Sequence, residues 1–330
     1  METNFFNNKK ILITGGTGSI GKSLVELLKG FNPKEIRIFS NDEYELFKMR
    51  EEKDPIRLVA GDITNYDVVK RAVRDCDIVF HGAALKHITI CELNPSMAIN
   101  TNVLGTQNII NACLGNAKIF VNISTDKAVN PVSTLGATKL LGEKLTSAAN
   151  YVHSETKCWS VRFGNVIGSR GSVYEAFLVQ LKNGKNLQVT DKRMTRFIMS
   201  VNQAANLILK TCSIAQGGEV FVLKMPSIRI LDLAETMNEI YSAKHQTPKK
   251  EIEIMGIREA ERLYEELVTE SETEFAYETD DMFIIQSPFE RYETNSLQKT
   301  THKNYRSDGF IPLSKDEIRK VLLEDFLLVA

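Results

Sequence analysis

Residues 11–21 read Ile-Leu-Ile-Thr-Gly-Gly-Thr-Gly-Ser-Ile-Gly, and this stretch decides the fold class of the chain. Its first four residues form an apolar run that predicts a buried strand. Gly15, Gly18 and Gly21 follow at the spacing GxxGxxG. Glycines at a strand-to-helix turn let the backbone approach a pyrophosphate, which the N-terminus of the helix attracts. A structural turn without a ligand is the alternative, and the position of the motif in the first strand–helix unit favours the dinucleotide.

Short apolar runs alternate with helical patterns through the first half of the chain. Strands without interior polar alternation suit a parallel sheet that is covered on both faces. The pattern therefore predicts an α/β fold, a Rossmann-type doubly wound parallel sheet with ligands beyond the carboxyl ends of its strands. The predicted strands cover residues 36–39, 56–60, 77–80, 118–124 and 159–163, and the predicted helices include 66–74 and 95–113.

The alternating rhythm ends after about Asn165. We predict an NADP-binding domain over residues 1–165 and a smaller C-terminal substrate-binding lobe over residues 166–330. A strand near 218–223 is expected to return to the first domain. The polar segment 272–308 is expected to be irregular or partly disordered. Ser314 and Glu317 have the spacing of a capping box, which predicts the start of the last helix.

The composition is that of an ordinary globular protein, with 43% hydrophobic and 25% charged residues and a net charge of −1. Without a basic block, nucleic acid is not an expected partner. Residues 1–10 are too polar for a signal peptide, and no apolar run is long enough to span a membrane. We therefore expect a cytoplasmic protein with no membrane partner.

The five cysteines are odd in number and widely separated in the sequence. This spacing argues against a disulfide framework and against a cysteine-rich zinc site, and it predicts buried free thiols in a reducing compartment. The five histidines show no metal-binding spacing, so no metal site is predicted.

The second strand ends at Ser40, a position that bears on the choice of dinucleotide. An acidic residue there would bind the ribose 2′-hydroxyl and favour NAD. Serine leaves room for a 2′-phosphate, and Lys48 and Arg50 are within reach of it on the following helix. We predict NADP, with NAD the less favoured alternative.

The ends of the third and fourth strands supply further candidates. Asp62 is placed to meet the adenine, and a role as a turn or helix cap is equally open. Ala83 and Ala84 are small enough for the backbone to pass close to a dinucleotide. Lys86 is a candidate for phosphate or ribose binding, with a solvated loop lysine as the alternative.

The stretch Val121 to Lys139, VNISTDKAVNPVSTLGATK, carries the candidate chemistry. Thr125, Asp126 and Lys127 place a hydroxyl, a carboxylate and an amine at the end of an apolar strand, and Lys139 follows on the next helix. The alternative for Asp126 and Lys127 is a surface ion pair at a strand end. Four residues before Lys139, where many nicotinamide enzymes carry a tyrosine, stands Leu135.

Together these motifs resemble the extended short-chain dehydrogenase/reductase family and, more narrowly, the inverting UDP-N-acetylglucosamine 4,6-dehydratases of the CapD-like polysaccharide biosynthesis branch. The resemblance spans about Lys9 to Glu270 and rests most specifically on STDKAVNP and GNVIGSRGSV. It is weaker at residues 258–263, where Arg-Glu-Ala-Glu-Arg-Leu stands in place of a glycine-containing loop.

The resemblance implies a concealed redox cycle with a dinucleotide that is regenerated. The sugar loses hydride from C4, then a proton from C5 and the hydroxyl from C6, and hydride returns at C6. The resemblance assigns protonation of the C6 hydroxyl to Asp126, transfer of the C5 proton to Lys127, a hydrogen bond near C4 to Thr125, and the nicotinamide ribose to Lys139.

These roles set requirements on two pKa values. Asp126 must hold a proton near neutral pH, and Lys127 must have a lowered pKa, to which burial and Lys139 would contribute. Leu135 cannot exchange a proton, so the base for the C4 hydroxyl stays open among Lys127, Asp126, Lys139 and a water.

Further site residues follow from the motifs and from the resemblance, which also implies a homo-oligomer. The rival functions are a UDP-sugar C4 epimerase and a non-catalytic nucleotide-sugar or NADP(H) binder.

The candidate cofactor-binding residues are Gly15, Thr17, Gly18, Ser19, Ile20, Gly21, Ser40, Asp62, Ile63, Ala83, Ala84, Lys86, Asn102 and Lys139. The candidate substrate-binding residues are Lys86, Asn165, Arg170, Ser172, Val173, Arg196, Arg258 and Glu261.

Overall fold

The computed structural model describes residues 4–50, 55–152, 155–257, 261–289, 291 and 297–324. The strands are β1 (Lys10–Thr14), β2 (Glu35–Ser40), β3 (Ile56–Ala60), β4 (Ile78–His81), β5 (Ile119–Ile123), β6 (Lys157–Arg162), β7 (Asn165–Ile167), β8 (Leu187–Val189), β9 (Thr195–Ser200), β10 (Val220–Leu223), β11 (Ser227–Arg229), β12 (Ile252–Ile254), β13 (Glu266–Val268), β14 (Ala276–Glu278), β15 (Met282–Ile285), β16 (Gln298–Lys299) and β17 (Tyr305–Arg306). The α-helices are α1 (Ser19–Lys29), α2 (Glu43–Lys48), α3 (Tyr66–Val73), α4 (Ile88–Leu93), α5 (Pro95–Ala98), α6 (Thr106–Cys113), α7 (Thr134–Val152), α8 (Val173–Lys182), α9 (Val201–Thr211), α10 (Ile230–His245), α11 (Glu270–Thr273) and α12 (Lys315–Glu324).

A ten-stranded sheet with the order β16-β14-β15-β10-β6-β5-β4-β1-β2-β3 forms the centre of the molecule. From β10 to β3 neighbouring strands are parallel, and β15, β14 and β16 extend the sheet with antiparallel pairing. The predicted Rossmann-type α/β fold is confirmed. All the predicted strands are present, with ends that differ by one or two residues.

Helices cover both faces of this sheet. Alternate residues of β1 enter different core clusters, because successive side chains of a strand point to opposite faces. Ile11 and Ile13 pack in the cluster that includes α1 and α9, whereas Leu12 packs in the cluster of α3, α6 and α7. The doubly wound arrangement follows from this division.

The segment 272–308 is more regular than expected. The run Met282–Ile285 is buried as β15, which pairs with β10, and β14 pairs with β15. The expectation of an irregular or disordered segment is therefore wrong for residues 276–285. The polar average of the segment masks a short apolar run that an existing sheet edge can pair with.

The predicted helix 95–113 is present as one continuous helical run, and its middle part is a π-helix. Residues Ile99–Gly105 form a π-helical segment between α5 and α6. A Cβ at Gly105 would lie 2.7 Å from Ile63 Cδ1, so the helix and the loop after β3 approach closely at this glycine.

A second group of elements packs in a core cluster of its own. Sheet β11-β9-β7 and the pair β12-β8 accompany α8, α10 and α12, whose apolar residues share one cluster. The predicted capping box of α12 is confirmed, since Glu317 N donates to Ser314 Oγ at 3.3 Å and Ser314 N to Glu317 Oε2 at 2.8 Å. A domain boundary at residue 165 stays a prediction.

All five cysteines are buried free thiols, as predicted. Within the described ranges, no helix combines the length and apolar character that crossing a bilayer requires. The same ranges hold no cluster of His, Cys, Asp and Glu side chains suited to a metal ion.

Candidate functional site

A cavity of about 900 Å³ opens beyond the carboxyl ends of the parallel strands and extends to the second group of elements. Of the predicted site residues that the structure describes, all but Asn102 and the two cations Lys48 and Arg50 line it. Arg258 lies outside the described residues. The sequence motifs, widely separated in the chain, therefore meet at one place.

The glycine loop forms one end of the cavity. Gly15 has a φ of +65°, and a Cβ there would lie 2.7 Å from the backbone nitrogen of Ala83. A Cβ at Gly21 would lie 2.5 Å from Gly16 Cα. Helix α1 starts at Ser19, and its N-cap residue Gly18 makes no side-chain capping bond. The exposed N–H groups of a helix N-terminus suit an anion such as a pyrophosphate.

Ser40, at the end of β2, does not have the neighbouring cations that we expected. Ser40 Oγ is 2.8 Å from Thr17 Oγ1. Lys48 donates to Glu45 Oε1 at 3.1 Å, and neither it nor Arg50 lines the cavity. The expectation that Lys48 or Arg50 meets a 2′-phosphate is thus not supported by this arrangement. The arginine that lines the cavity and contacts the residues after β2 is Arg170, which pairs with Glu45 at 2.6 Å and Asp42 at 4.0 Å.

Asp62 serves as a turn cap within the cavity wall. Its Oδ1 accepts from Thr64 N at 2.8 Å and from Thr64 Oγ1 at 2.7 Å. The capping alternative is therefore correct, and because Asp62 also lines the cavity, contact with a ligand stays open.

Asn102 lies behind the cavity wall instead of in it. Its amide exchanges two hydrogen bonds with the backbone of Leu85, at 2.8 and 3.0 Å, and donates to Thr138 Oγ1 at 3.1 Å. Because these bonds hold the amide in the buried interior, the predicted direct contact with a cofactor is not supported. Asn102 instead fixes the loop that follows β4.

A tight cluster follows β5. Thr125 Oγ1 donates to Asp126 Oδ1 at 2.7 Å, and Lys127 Nζ donates to the same oxygen at 3.1 Å. The Asp126 side chain is 1% exposed and that of Lys127 29%, so the surface ion-pair alternative is wrong. Lys139, from α7, donates to the backbone oxygen of Ile123 at 2.6 Å.

Glu265 completes this cluster and was missed by the sequence analysis. It is buried immediately before β13 and lies 3.5 Å from Lys127 Nζ and 3.2 Å from Arg196 Nε. Asn165 Nδ2 donates to its carboxyl group at 3.3 Å. The signal was Tyr-Glu-Glu-Leu at residues 264–267, directly after the motif in which only Arg258 and Glu261 were considered.

The pKa values of Asp126 and Lys127 are shifted in the directions opposite to those expected. Burial raises the pKa of Glu265, and the Asp126 carboxylate raises it further, against the opposing effects of Lys127 and Arg196. Burial also favours neutral Asp126, but the Lys127 ammonium and hydrogen bonds outweigh it and lower the Asp126 pKa. Burial disfavours charged Lys127, yet Asp126 and Glu265 keep its pKa raised. In this arrangement the pKa of Asp126 is lowered and that of Lys127 is raised, which is the opposite of the expected directions.

Two further groups border the cluster. Burial lowers the pKa of Lys139 to about 8, against the opposing effect of Glu143. Leu135 is 3% exposed, packs with Cys91 and Ala98, and lines the cavity. Its side chain offers shape and no proton acceptor.

The far end of the cavity carries the remaining candidates. Arg196 donates to the backbone oxygens of Thr195 and Arg262, at 2.7 and 2.9 Å. Glu261 accepts from Thr190 Oγ1 at 3.2 Å. Ser172 caps α8, which begins at Val173. These groups give the far end both cationic and anionic character.

Comparison with known proteins finds relatives along nearly the whole chain. The family described as "Polysaccharide biosynthesis protein" matches residues 11–287. An uncharacterized membrane protein of Methanocaldococcus jannaschii is 46% identical, with 98% of this chain and 97% of the relative covered.

Two relatives with named activities differ in what they do. A UDP-N-acetylglucosamine 4,6-dehydratase (inverting) of Campylobacter jejuni is 40% identical, with 85% of this chain and 83% of the relative covered. A UDP-glucose 4-epimerase of Rickettsia akari is 37% identical, with 96% of each chain covered. The X-ray structure of Pen from Bacillus thuringiensis has a TM-score of 0.92 and 44% identity, covering 98% of this chain and 100% of Pen.

Proposed function

The chain belongs to the polysaccharide biosynthesis protein family of nucleotide-sugar dehydratases and epimerases, and we propose that it is a UDP-N-acetylglucosamine 4,6-dehydratase that inverts C5. The product is UDP-2-acetamido-2,6-dideoxy-β-L-arabino-hex-4-ulose. The observation that carries this proposal is the contact of Asp126, Lys127 and Glu265 at the cavity wall. Elimination of water across C5 and C6 needs both an acid and a base, and this cluster holds both.

The cofactor that fits the glycine loop is a nicotinamide dinucleotide, and we assign NADP in preference to NAD. When bound, such a dinucleotide takes up a hydride from the sugar and returns it. The backbone approach at Gly15 and Gly21 suits its pyrophosphate, and Ser40 and Thr17 offer hydroxyls at the adenosine end. To Lys139 we assign the nicotinamide ribose.

The acid–base steps fall to the residues after β5. Asp126 protonates the departing C6 hydroxyl, Lys127 removes and returns the C5 proton, and Thr125 orients the sugar near C4. Leu135 accepts no proton, so the C4 hydroxyl proton passes to Lys127, Asp126, Lys139 or a water. Asn165, Arg170, Arg196 and the loop that begins α8 bind the nucleotide-sugar, with the diphosphate facing arginine.

The experiment is incubation of the purified protein with UDP-N-acetylglucosamine, followed by product absorbance in alkali and NMR. A 4-keto-6-deoxy sugar absorbs in alkali and supports the proposal. The matched control is Asp126→Asn, a change of one atom in the acid, which should remove product while leaving dinucleotide binding intact. An unchanged sugar would leave only a binding role for the protein and would overturn the proposal.

The second candidate is a UDP-sugar C4 epimerase, which the relative named UDP-glucose 4-epimerase favours. An epimerase returns hydride to C4 and keeps the C6 hydroxyl, so it needs no acid beside C6. A buried acid cluster therefore counts against it. In the same incubation an epimerase would give a C4 epimer without alkali absorbance.

We also propose a homo-oligomer. Large apolar side chains on α4, α5 and α7 are exposed in the single chain, among them Leu93 at 74%, Met97 at 55% and Leu141 at 49%. A second copy would cover them. Light scattering during gel filtration measures the mass, and a monomer at working concentration would contradict this assignment.

A further inference from the structure

One carboxyl oxygen of Asp126 receives no hydrogen bond from the other described residues of the cluster. Oδ1 receives Thr125 Oγ1 at 2.7 Å and Lys127 Nζ at 3.1 Å. Oδ2 is buried and has no donor among the described residues when both acids are ionised. A buried acceptor without a donor is costly, so a donor is expected at this oxygen. The second carboxyl group of the cluster is that of Glu265, since Lys127 Nζ contacts Asp126 Oδ1 at 3.1 Å and Glu265 Oε1 at 3.5 Å.

The two oxygens of Glu265 are not equivalent. Oε1 accepts hydrogen bonds from Asn165 Nδ2 at 3.3 Å and Lys127 Nζ at 3.5 Å, and it forms an ion pair with Arg196 Nε at 3.2 Å. Among the described residues, Oε2 has one contact, at 3.4 Å from Asn165 Nδ2. Oε2 has fewer donors than Oε1, so it is the oxygen better placed to carry a proton and donate it.

We propose that Glu265 is a positioning residue that stays protonated and donates its hydroxyl to Asp126 Oδ2. Two buried carboxyl groups in contact do not both ionise readily, because the like charges repel. The shared hydrogen bond holds the Asp126 carboxyl with Oδ1 towards Thr125 and Lys127. This inference rests on the proposed dehydratase function for its consequence in catalysis, but not for the protonation itself.

With Glu265 neutral, Lys127 and Asp126 together account for every proton that moves in the elimination. In the resting cluster Lys127 is an ammonium and Asp126 a carboxylate, and their atoms Nζ and Oδ1 are 3.1 Å apart. Transfer of one proton between these atoms gives an amine and a carboxylic acid.

The amine then takes the C5 proton, and the C5–H electron pair becomes the C5–C6 double bond. The C6–O bond breaks, Asp126 protonates the departing hydroxyl, and water leaves. Lys127 and Asp126 return to their starting charges, and Glu265 keeps its proton throughout.

The first test compares Glu265→Gln with Glu265→Ala in the full-length, NADP-loaded protein. Glutamine is neutral at every pH and has an amide that can donate to Asp126 Oδ2 while its oxygen accepts. We expect Glu265→Gln to keep kcat within about tenfold of wild type at neutral pH. Glu265→Ala should lose about 100-fold or more in kcat with little change in KM, because Asp126 loses its fixed position. The control is Glu270→Gln, at an exposed position five residues away, which should match wild type.

The dependence of kcat on pH tests whether Glu265 positions Asp126 through its proton or has only a structural role. The groups that face Glu265 are Asp126, Lys127, Arg196 and Asn165, and of these Asn165 does not titrate. As Glu265 ionises in the wild type, kcat should fall on the alkaline side. In Glu265→Gln this fall should move to higher pH. An unmoved alkaline limb, or a glutamine variant as impaired as the alanine variant, would overturn the proposal.

Stability against urea provides a readout that does not depend on the reaction. A carboxyl group with a raised pKa in the folded state stabilises at low pH, and this contribution is lost as pH rises through the folded pKa. The urea midpoint of wild type relative to Glu265→Gln should therefore fall from mildly acidic to mildly alkaline pH. A constant difference would show that Glu265 is ionised and would overturn the proposal. If the shift occurs but wild type forms no 4-keto product, the dehydratase assignment fails while the protonated Glu265 stands.

Discussion

Two buried clusters of one central cation and two carboxyl groups lie near the end of β5, and they behave in opposite ways. In one, Arg162 donates through Nε and Nη2 to Glu143, at 3.0 and 2.7 Å, and through Nη1 and Nη2 to Glu272, at 3.1 and 2.9 Å. A fifth bond, of 2.8 Å, goes to the backbone oxygen of Leu267. In the other cluster, Lys127 contacts Asp126 and Glu265, and no described residue donates a hydrogen bond to Asp126 Oδ2.

The chemistry of the central cation explains the difference. A guanidinium has five donors in a planar fork, which can hold two carboxylates, whereas an ammonium is a point charge with three donors. Although burial works against it, the pKa of Glu272 is lowered by Arg162. The pKa of Glu265 is raised by burial and by Asp126. The Arg162 cluster is saturated, with a donor for each of its carboxylate oxygens, whereas the Lys127 cluster, which lines the cavity, leaves Asp126 Oδ2 without a donor among the described residues.

The largest effect should follow removal of the cation of the saturated cluster. Arg162→Ala would leave Glu143 and Glu272 without their shared partner in the interior. We expect a loss of about 3–5 kcal/mol in the free energy of unfolding. Urea denaturation followed by circular dichroism measures this loss.

The matched control for Arg162 is Arg319→Ala. Arg319 donates to Glu239 at 2.7 Å, with side chains 38% and 30% exposed. Surface pairs contribute about 0–1 kcal/mol, so this variant should differ little from wild type. If Arg162→Ala and Arg319→Ala lost the same free energy of unfolding, the buried Arg162 cluster would have no special structural role.

The catalytic cluster should show the reverse, a large loss of activity with a smaller loss of stability. Asp126→Asn should block departure of the C6 hydroxyl, and Lys127→Ala should stop exchange of the C5 proton. Each removal should lower kcat by about 10²–10⁴-fold. Steady-state rates and urea midpoints measured on the same preparations test this, and near-normal turnover in either variant would contradict the assignment.

A smaller contrast is expected on α7. Lys139→Ala removes a buried cation beside the dinucleotide site, whereas Leu135→Ala removes only apolar volume. We expect Leu135→Ala to retain substantial activity and Lys139→Ala to be far more damaging. Steady-state rates and NADP titration decide this. If folded Leu135→Ala is as inactive as Lys139→Ala, the leucine has more than a packing role.

The smallest effect concerns the choice of dinucleotide. Ser40→Asp places a carboxylate where a 2′-phosphate would lie, so NADP affinity should fall about tenfold or more relative to NAD affinity. Lys48→Ala is the control, since Lys48 pairs with Glu45 away from the cavity and should leave NADP affinity unchanged. Fluorescence titration with both dinucleotides measures this, and equal wild-type affinity for the two would contradict the NADP assignment.

The parts that could be predicted from the sequence are those encoded by neighbouring residues. The glycine loop lies within eleven residues, and the parallel strands are short apolar runs, so both are readable locally. Asp126 and Lys127 are adjacent in the sequence and were identified for the same reason.

The parts that were missed depend on distant partners. Lys127 and Glu265 are 138 positions apart, and nothing in the sequence near Glu265 shows that it meets a second carboxyl group. The pKa directions of all three residues depend on that meeting. Likewise, β15 is stabilised by pairing with β10, which a polar average over residues 272–308 does not reveal.

The most direct test of the account is the reaction of UDP-N-acetylglucosamine in deuterated water, followed by NMR of the sugar. If the cluster after β5 catalyses elimination, the product carries one deuterium at C5, has lost the C6 hydroxyl, and takes its new C6 hydrogen from C4 and not from solvent. Lys127→Ala should give no deuterium at C5. A product that keeps the C6 hydroxyl and shows only inversion at C4, with no deuterium bound to carbon, would contradict the account.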